Sequence, residues 1–360
     1  MSLADTLTAA RGRDLITGPV VDADVHARVA SLDVLRPYIS STWQSLITEY
    51  AYTGPPGLVT VYPPNAPTTT RPEWREQGAA TSVDLLQSQA LDAWQADAAV
   101  LHCYFGLDSV RHPDLAAVLA SAVNDWLVAE WLDRDPRLKA ALVVPPYVLA
   151  DQVAEIERVG DHPGFVEVQM PVRAMSPYGH RNWWPVLRAM TARNLVFGLT
   201  WGGTSSAAPT PTGWPSWFME EYAGEVQVYM SQLTSFVGEG TFQKFPSLKV
   251  AVHDIGFAWV PTLIWRLEKE WKGLRRTVPW IDRPIGQLLR EHVRFTTAPL
   301  DAGPPAEMVR LLEWLGEDMV MFASDYPHHH DDDIADLLTG LTPEVRQKIM
   351  SGNARAFYGF

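Results

Sequence analysis

Cysteine is nearly missing from this sequence of 360 residues. Cys103 is the single thiol, so an internal disulfide framework is excluded, and the low content is typical of a reducing compartment. Long apolar runs are missing as well. Nothing approaches the ~18 consecutive apolar residues of a membrane-spanning helix, and residues 1–20 lack the apolar core of a signal peptide. We therefore expect a cytoplasmic protein with no membrane partner.

Basic residues are few relative to acidic ones. The chain has 29 Lys and Arg against 42 Asp and Glu, a formal net charge of −13, and no local cluster of basic residues offsets this charge. Such a chain repels nucleic acid and anionic membranes, so a small molecule is the expected partner. Hydrophobic residues make up 47% of the chain, which is enough for the sizeable core of a globular protein.

Short apolar runs recur along the chain, and most are followed by a stretch with the apolar spacing of a helix. This alternation is typical of βα units around a parallel sheet. The predicted strands are residues 19–25, 98–103, 140–145, 164–169, 194–200, 248–253, 292–297 and 319–324. The predicted helices include 80–96, 114–134, 149–159, 183–193, 220–240, 257–274 and 305–315. Eight strands in this order predict an α/β fold, a (β/α)8 or TIM barrel, formed by residues 1–360 as one domain.

Two insertions interrupt the repeat. The first, within about residues 40–79, follows the first strand and is rich in Pro, Thr and Gly over 51–79; the second, residues 201–219, follows the fifth strand. Barrel enzymes build their sites from loops that follow strands. The alternative is that the insertions are surface loops or an oligomer contact.

Three polar residues lie at the ends of predicted strands from opposite ends of the chain. Asp24 and His26 lie two residues apart on the first strand and share one face, so both can bind the same ion, and Asp325 ends the eighth strand. Carboxylate oxygens and imidazole nitrogens suit Zn²⁺, Mn²⁺ or Fe²⁺. Three ligands leave an open position, as a catalytic metal needs. The alternative for each residue alone is a strand-end cap, and for Asp22 we expect a structural hydrogen bond.

With these strand ends in view, the chain resembles the amidohydrolase-related family of the metal-dependent amidohydrolase superfamily, the group that includes aminocarboxymuconate-semialdehyde decarboxylase. The matching stretches occur in the expected order along nearly the whole chain. They are VDADVH at 21–26, PYGHRNWWP at 177–185, GFAWVPTLIWRLE at 256–268, EHVRFTTAPL at 291–300, FASDYPH at 322–328 and NARAFY at 353–358. The resemblance implies a distorted barrel with a metal at the C-terminal ends of the strands and, by analogy, a homodimer.

The resemblance also implies a ligand set, from which this chain departs twice. Asp24, His26 and Asp325 match the family's first-strand pair and eighth-strand aspartate, and Zn²⁺ is the first expectation for the ion. Thr200 occupies the fifth-strand position where relatives carry histidine, and a neutral hydroxyl is a poor ligand. Asp254 stands where relatives carry Glu or His.

Adjacent strand residues face opposite sides, so only one of His253 and Asp254 is expected to line the barrel. The resemblance favours Asp254, with His253 packed outward or bonded to a ligand; a register shift of one residue would reverse this. His102 and His292 are interpreted as structural histidines.

Four further residues are substrate-binding candidates. Thr200 and Trp201 follow the fifth strand within a region rich in tryptophan, which suits a planar substrate. His328 begins the run of three histidines and three aspartates at 328–333, most of which is interpreted as a solvated helix cap. Arg266 matches a region that binds substrate carboxylates in relatives, and a helix-surface ion pair is the equal alternative.

These residues predict a metal-dependent enzyme, a hydrolase or a decarboxylase, acting on a small carboxylated and possibly aromatic compound. Asp325 and Asp254 are the catalytic candidates. Two nearby carboxylates raise the pKa of one of them, so Asp325 would protonate carbon in a decarboxylase or take a proton from water in a hydrolase. The alternative is a barrel that has lost its metal through Thr200 and serves as a binding or regulatory protein, or works without metal.

Overall fold

Eight parallel strands form one sheet in the order of the sequence. The computed structural model describes residues 11–55, 70–203, 208–301, 303–330 and 332–360. The strands are β1 Val20–His26, β2 Ala96–His102, β3 Leu138–Val143, β4 Phe165–Pro171, β5 Val196–Thr200, β6 Val250–Val252, β7 Val293–Thr296 and β8 Val320–Met321. All eight predicted strands are present, with boundaries displaced by a few residues.

The sheet closes on itself through backbone hydrogen bonds between β1 and the segment that continues β8. The Ala23 N–H donates to the Phe322 carbonyl at 2.9 Å, and the His26 N–H donates to the Tyr326 carbonyl at 2.8 Å. β8 itself has only two residues, so this side of the barrel is irregular. The prediction of an α/β fold, a distorted (β/α)8 barrel, is confirmed.

Helices surround the barrel. They are α1 Ser41–Glu49, α2 Pro72–Arg75, α3 Val83–Leu86, α4 Asp92–Trp94, α5 Pro113–Leu127, α6 Leu149–Val159, α7 Trp184–Thr191, α8 Phe218–Gly238, α9 Thr241–Lys244, α10 Val260–Leu274, α11 Ile285–His292, α12 Pro305–Leu315, α13 Ile334–Thr339, α14 Pro343–Gln347 and α15 Asn353–Tyr358. Short 3₁₀ turns cover Leu32–Tyr38, Leu107–Ser109, Arg181–Trp183 and Glu317–Met319, and π-helical turns cover Gln87–Leu91, Val128–Leu132 and Lys348–Gly352.

Two predicted helices differ from the observed ones because a π-helical turn interrupts them. The helix predicted over 80–96 consists of α3, the turn Gln87–Leu91 and α4, and the one predicted over 114–134 consists of α5 and the turn Val128–Leu132. Pro113–Leu132 has the length and hydropathy of a membrane span, but 61% of its most apolar window is buried inside the protein. It is a core helix of the barrel.

The two predicted insertions are described in part. The first contains α1 and α2, whereas its residues 56–69, with Tyr62-Pro63-Pro64, lie outside the described residues. In the second, residues 204–207 lie outside them. The second insertion leads into α8, the longest described helix at 21 residues.

The barrel interior at the N-terminal ends of the strands is filled by a compact apolar cluster. It contains Val21 of β1, Val100 of β2 and Met321 of β8, and the aromatic rings of Phe357 and Tyr358 from α15 pack against them. The C-terminal helix thus covers the floor of the barrel, and polar side chains occupy the interior above it.

Candidate metal centre

The closure of the barrel brings the two ends of the chain together at one site. His26 Nε2 lies 2.8 Å from Asp325 Oδ1 and 3.3 Å from Asp24 Oδ1. Ligand atoms of Asp24, His26, Asp254 and Asp325 all lie within 4.8 Å of one another; we call these four residues the outer group. Asp24 is 1% exposed and Asp325 is 3% exposed, so both carboxylates are withdrawn from water.

Two aspartates of the outer group have a backbone conformation that L-residues rarely adopt. Asp254 has φ of 64° and Asp325 has φ of 52°, each just beyond the end of a strand. Such left-handed residues cost free energy and cluster at functional sites, where surrounding contacts hold them. Here those contacts include the Asp325 N–H, which donates to the Asp24 carbonyl at 3.1 Å, and the Trp201 N–H, which donates to Asp254 Oδ2 at 2.8 Å.

Two further histidines hold the Asp325 carboxylate. His328 Nδ1 lies 2.7 Å from Oδ1, and His330 Nε2 lies 2.6 Å from Oδ2. The chain turns back after β8, since the His328 N–H donates to the Asp325 carbonyl at 2.7 Å. His328 was a candidate from the sequence, whereas His330 belongs to the part interpreted as a solvated cap and faces the site instead.

A second set of imidazoles also contacts Asp24. His102 Nδ1 is 2.8 Å from Asp24 Oδ1, and His253 Nδ1 is 3.3 Å from Asp24 Oδ2. Both rings also contact Glu167 on β4, with His102 Nε2 at 2.7 Å and His253 Nε2 at 3.3 Å from Oε1. We call Asp24, His102 and His253 the inner group; their ligand atoms also lie within 4.8 Å of one another.

Of the two arrangements expected for His253, packed outward or bonded to a ligand, the structure has the second, with the ring against Asp24. β6 ends at Val252, so His253 lies beyond the strand, where side chains no longer alternate between two faces. Asp254, the next residue, has the left-handed backbone conformation, and its carboxylate also lies at the site. His102 has structural partners, as expected, but it also lies at the centre.

The donor atoms fit a divalent cation. Both carboxylate oxygens of Asp24 and the Nδ1 atoms of His102 and His253 are buried and have no hydrogen-bond partner, although they lie close to one another. Buried polar groups are nearly always satisfied, so four unsatisfied atoms that converge point to a ligand. Oxygen and nitrogen donors of this kind suit Mn²⁺, Zn²⁺ or Fe²⁺.

The pKa values of the carboxyl groups diverge. Burial would raise the pKa of Asp24, but His102, His26 and His253 outweigh it and hold that pKa well below its ordinary value. Burial would likewise raise the pKa of Asp325, but His328, His26 and His330 lower it strongly. The expected protonated Asp325 is therefore not found, because its imidazole partners favour the carboxylate.

Asp254 has the raised pKa instead. Burial, together with the charges of Asp24 and Asp325, raises its pKa to about 7. Carboxyl groups with such shifts are typical of catalytic sites.

Two other sequence candidates contact residues outside the outer group. Thr200 is buried, and its Oγ1 accepts a hydrogen bond from Gln169 Nε2 at 3.4 Å. Arg266 is a surface residue of α10 with a 73% exposed side chain, and it pairs with Glu270 at 3.0 Å. Within one chain the structure does not bring Arg266 to the site. Asp22 accepts hydrogen bonds from the Asp24 and Ser324 N–H groups at 3.2 and 3.0 Å, as expected for a structural role.

Sequence reasoning did not identify two tyrosines of α8. Burial raises the pKa of Tyr222 well above its ordinary value, and the charges of Asp325 and Asp254 add to the shift. The Tyr229 hydroxyl is buried with no hydrogen-bond partner, and burial and then Asp254 raise its pKa. The signal available in the sequence was their spacing of seven residues, which places both on one face of a helix.

Comparison with known proteins identifies the family. The family model described as amidohydrolase matches residues 21–360, so the chain belongs to the amidohydrolase family. This membership confirms the predicted family and the predicted class, an enzyme of hydrolase or carboxy-lyase type. No curated protein sequence matches the chain.

Solved structures show the same fold at low sequence identity. 5-Carboxyvanillate decarboxylase from Sphingomonas paucimobilis is 17% identical, with a TM-score of 0.68 over 96% of this chain and 100% of that one. An amidohydrolase from Mycobacterium avium subsp. paratuberculosis K-10 is 18% identical, with a TM-score of 0.70 over 96% and 99%. Dihydroxybenzoic acid decarboxylase from Polaromonas sp. JS666, crystallised with manganese and the inhibitor 2-nitroresorcinol, is 17% identical, with a TM-score of 0.69 over 95% and 97%.

Proposed function

We propose that this protein is a carboxy-lyase that removes CO₂ from a small aromatic carboxylate with the help of one divalent cation. The observation that carries the proposal is the outer group, in which three carboxylates and one imidazole meet within 4.8 Å at the C-terminal ends of the strands. Solved proteins of the same fold include decarboxylases of 5-carboxyvanillate and of dihydroxybenzoate, and this supports the choice of reaction.

Asp24, His26 and Asp325 are the proposed ligands of the cation. The sequence favoured Zn²⁺, but the oxygen-rich outer group suits Mn²⁺ better, since carboxylate oxygens are preferred ligands of that ion. When bound, the cation would orient the oxygens of the substrate and stabilise negative charge that develops on them. His328 and His330 fix the two oxygens of Asp325 and so orient this ligand.

Asp254 is the proposed acid. Its Oδ2 is held by the Trp201 N–H, which leaves Oδ1 to carry a proton. As the bond between the ring carbon and the carboxylate carbon breaks, its electron pair stays on the ring carbon, CO₂ leaves, and the proton of Asp254 is transferred to that carbon. A solvent proton then restores the acid. This step needs no oxidant and no further reactant.

Aromatic residues beside the outer group are proposed to bind the ring of the substrate. Trp201 follows β5 directly, and Tyr222 and Tyr229 approach from α8, close enough for Asp254 to affect both of their pKa values. Flat side chains of this kind bind a planar ring through stacking and edge contacts.

The experiment is turnover of 2,6-dihydroxybenzoate and 5-carboxyvanillate by protein loaded with Mn²⁺. We expect CO₂ release and, in D₂O, one deuterium on the ring carbon that lost the carboxylate. Asp254→Asn should lower kcat by about 10²- to 10⁴-fold, since that is the usual contribution of a general acid, while Mn²⁺ remains bound. Asp84→Asn, at an exposed position of α3, is the matched control and should keep full activity.

Two results would contradict the proposal. Hydrolysis of an aryl ester or lactone, with no CO₂ from either acid, would assign the hydrolase reaction instead. Failure of the protein to bind Mn²⁺ or Zn²⁺ at micromolar concentration would favour the alternative of a binding or regulatory barrel.

We also propose a cytoplasmic homodimer, in which Arg266 would reach the site of the partner chain. The exposed rings of Trp265 and Trp314, which contact each other beside Arg266 at 5.2 Å between centroids, support a contact surface there. Sedimentation velocity tests the dimer, and a monomer at micromolar concentration would rule it out.

A further inference from the structure

We propose that a cavity beside the outer group binds a second aromatic ring of the substrate, one that carries a neutral hydroxyl group. This inference rests on the proposed function and deepens it, because it names the class of acid: an aromatic carboxylate with two linked rings rather than one. The inference is based on the position of the cavity, on two unsatisfied polar atoms of its lining, and on the charge around them.

The cavity lies at the C-terminal ends of the strands, among the segments that follow β2, β3 and β4, and its volume is about 240 Å³. Its lining, as far as the described residues show, includes none of the four members of the outer group. A cavity of about 150 Å³ with apolar walls is large enough to hold benzene, so one further ring fits here. The aromatic residues of the lining are Tyr104, Phe105, Tyr147, Tyr178 and Trp183.

The segment from Trp201 to Gly203 connects the cavity to the outer group. The Trp201 N–H donates to Asp254 Oδ2 at 2.8 Å, whereas Gly203 lines the cavity and its N–H donates to the Tyr104 hydroxyl at 3.1 Å. Two residues span at most about 7 Å, so the proposed acid and the cavity wall are neighbours. Gly202 and Gly203 both have positive φ, and a Cβ at Gly202 would lie 2.6 Å from the Tyr104 ring, so this approach requires glycine. A substrate whose first ring lies at Asp254 can therefore extend a second ring into the cavity.

Two polar atoms of the lining residues have no hydrogen-bond partner. Gln152 of α6 is 1% exposed, and its Oε1 accepts no hydrogen bond. Arg173, which follows β4, has a fully buried side chain, and its Nη1 donates none. Buried polar groups are nearly always satisfied, so an acceptor and a donor left over on one lining indicate a ligand that supplies both. A hydroxyl group does so, because it donates one hydrogen bond and accepts others.

The surrounding charge favours a neutral group over a second carboxylate. The Arg173 guanidinium already pairs with Glu221 at 2.9 Å and with Glu225 at 2.6 Å, and both glutamates are buried. Asp108, which accepts a hydrogen bond from the Tyr104 hydroxyl at 2.6 Å, lines the cavity as well. Since two carboxyl groups already offset the charge of Arg173, a carboxylate on the second ring would gain little from it and would lie near Asp108. A hydroxyl group avoids both costs.

The experiment compares acids with one and with two rings as substrates of the Mn²⁺-loaded protein. The parent acid is 2,6-dihydroxybenzoate, and its two derivatives carry a phenyl or a 4-hydroxyphenyl group at ring position 3 or 4. We expect kcat/KM for the phenyl derivative to exceed that for the parent by about 10-fold or more, the effect of burying a further ring. The 4-hydroxyphenyl derivative should gain a further ~2- to 10-fold, the effect of one hydrogen bond.

Two variants of the lining test the assignment. Gln152→Met removes the acceptor at similar volume and should abolish the preference for 4-hydroxyphenyl over phenyl. Ala174→Phe adds a ring at the cavity wall and should lower kcat/KM for both derivatives about 10-fold or more relative to the parent acid. Gln227→Met and Ala306→Phe, at exposed positions of α8 and α12, are the matched controls and should keep the wild-type ratios. Calorimetry with biphenyl-4-ol, which has no carboxylate, measures binding to the cavity without turnover.

The outcomes separate this inference from the proposed function. Turnover of the parent acid in preference to both derivatives would overturn the inference and leave the proposed function intact. Release of CO₂ from none of the acids would contradict the proposed function, and calorimetry would then decide the cavity alone. Binding of biphenyl-4-ol that Ala174→Phe weakens would support the cavity, and absent or unaltered binding would overturn it. If Ala174→Phe does not fold, Gln152→Met decides in the same way, because an unchanged preference for the hydroxyl group would overturn the inference.

Discussion

The pKa of His102 is raised and the pKa of His292 is lowered, because the two buried histidines have different partners. His102 is buried, which lowers its pKa, but Asp24 and Glu167 outweigh burial and raise that pKa to about 9. His292 is buried against the ring of Phe242, and its Nδ1 donates to the Leu248 carbonyl at 2.7 Å. Burial lowers the pKa of His292, and the Leu248 carbonyl and the charge of Glu291 offset this effect only in part.

His292 should therefore make the metal-free protein less stable at mildly acidic pH. The unfolded chain binds a proton near the ordinary histidine pKa, whereas the folded chain resists it, so acidification below that value favours unfolding. His292→Asn keeps a donor for Leu248 and should lose less unfolding free energy than the wild type between pH 7.5 and pH 5.5. Urea unfolding at both pH values measures this. His180→Asn, at an exposed position, is the control and should lose as much unfolding free energy between the two pH values as the wild type. An equal loss in all three proteins would contradict the prediction.

At the scale of elements, β5 contributes to the candidate metal centre through a glycine, Gly198, rather than through a ligand. Gly198 pairs with Gln169 of β4 and Ala251 of β6, and the carboxylate of Glu167 occupies the space where a side chain would lie. That space allows Glu167 to reach the imidazoles of His102 and His253. In the resembled family this strand carries a histidine ligand. In this chain it instead leaves space for the Glu167 carboxylate.

Gly198→Ala should destabilise the protein and weaken metal binding. The added methyl group would meet the Glu167 side chain, which His102 and Tyr358 hold in place, and overpacking of a core typically costs about 1–3 kcal/mol. Gly238→Ala in α8, where no atom lies within 4 Å of the added Cβ, is the matched control. It should be neutral or stabilising by up to about 1 kcal/mol, since alanine favours helix more than glycine does. Urea unfolding compares the two, and equal stabilities would contradict this account of Gly198.

At the scale of the whole molecule, the C-terminal helix α15 connects the floor of the barrel to the centre. Tyr358 packs in the apolar cluster below the strands, and its hydroxyl donates to Glu167 Oε2 at 2.6 Å. Glu167 in turn holds the two inner imidazoles. The last residues of the chain are thus part of the support of the candidate metal centre.

Tyr358→Phe should lower the unfolding free energy by about 1.5–3 kcal/mol, the usual contribution of a hydrogen bond to a charged group. Tyr178→Phe is the control, because Tyr178 is also buried but donates to the neutral Pro171 carbonyl at 2.7 Å. It should cost only about 0.5–1.5 kcal/mol. Denaturant unfolding of the metal-free variants measures both, and a smaller loss for Tyr358 than for Tyr178 would contradict the proposed support.

The alternation of apolar strands and amphipathic helices was sufficient to predict the barrel, because both periods are local properties of the chain. The pairing of Asp24 with His26 was also local, since residues two apart on a strand share a face. The long matching stretches extended this to Asp325. The sequence could not predict which residues from other strands contact Asp24, His26 and Asp325. His102, Glu167 and His253 lie on different strands, and each alone is an ordinary buried polar residue.

The sequence by itself determined the fold, the two ends of the chain that meet, and the types of donor atom that they bring. Only the tertiary structure decided that His253 turns inward beyond the end of β6, that His330 holds Asp325, and that Asp254 rather than Asp325 has the raised pKa. The physical reason is that local periodicity specifies which face of an element is buried, whereas contacts between distant strands depend on where each strand ends and how the barrel closes. Those contacts set the position of every ligand atom and the electrostatic balance of every carboxyl group in the centre.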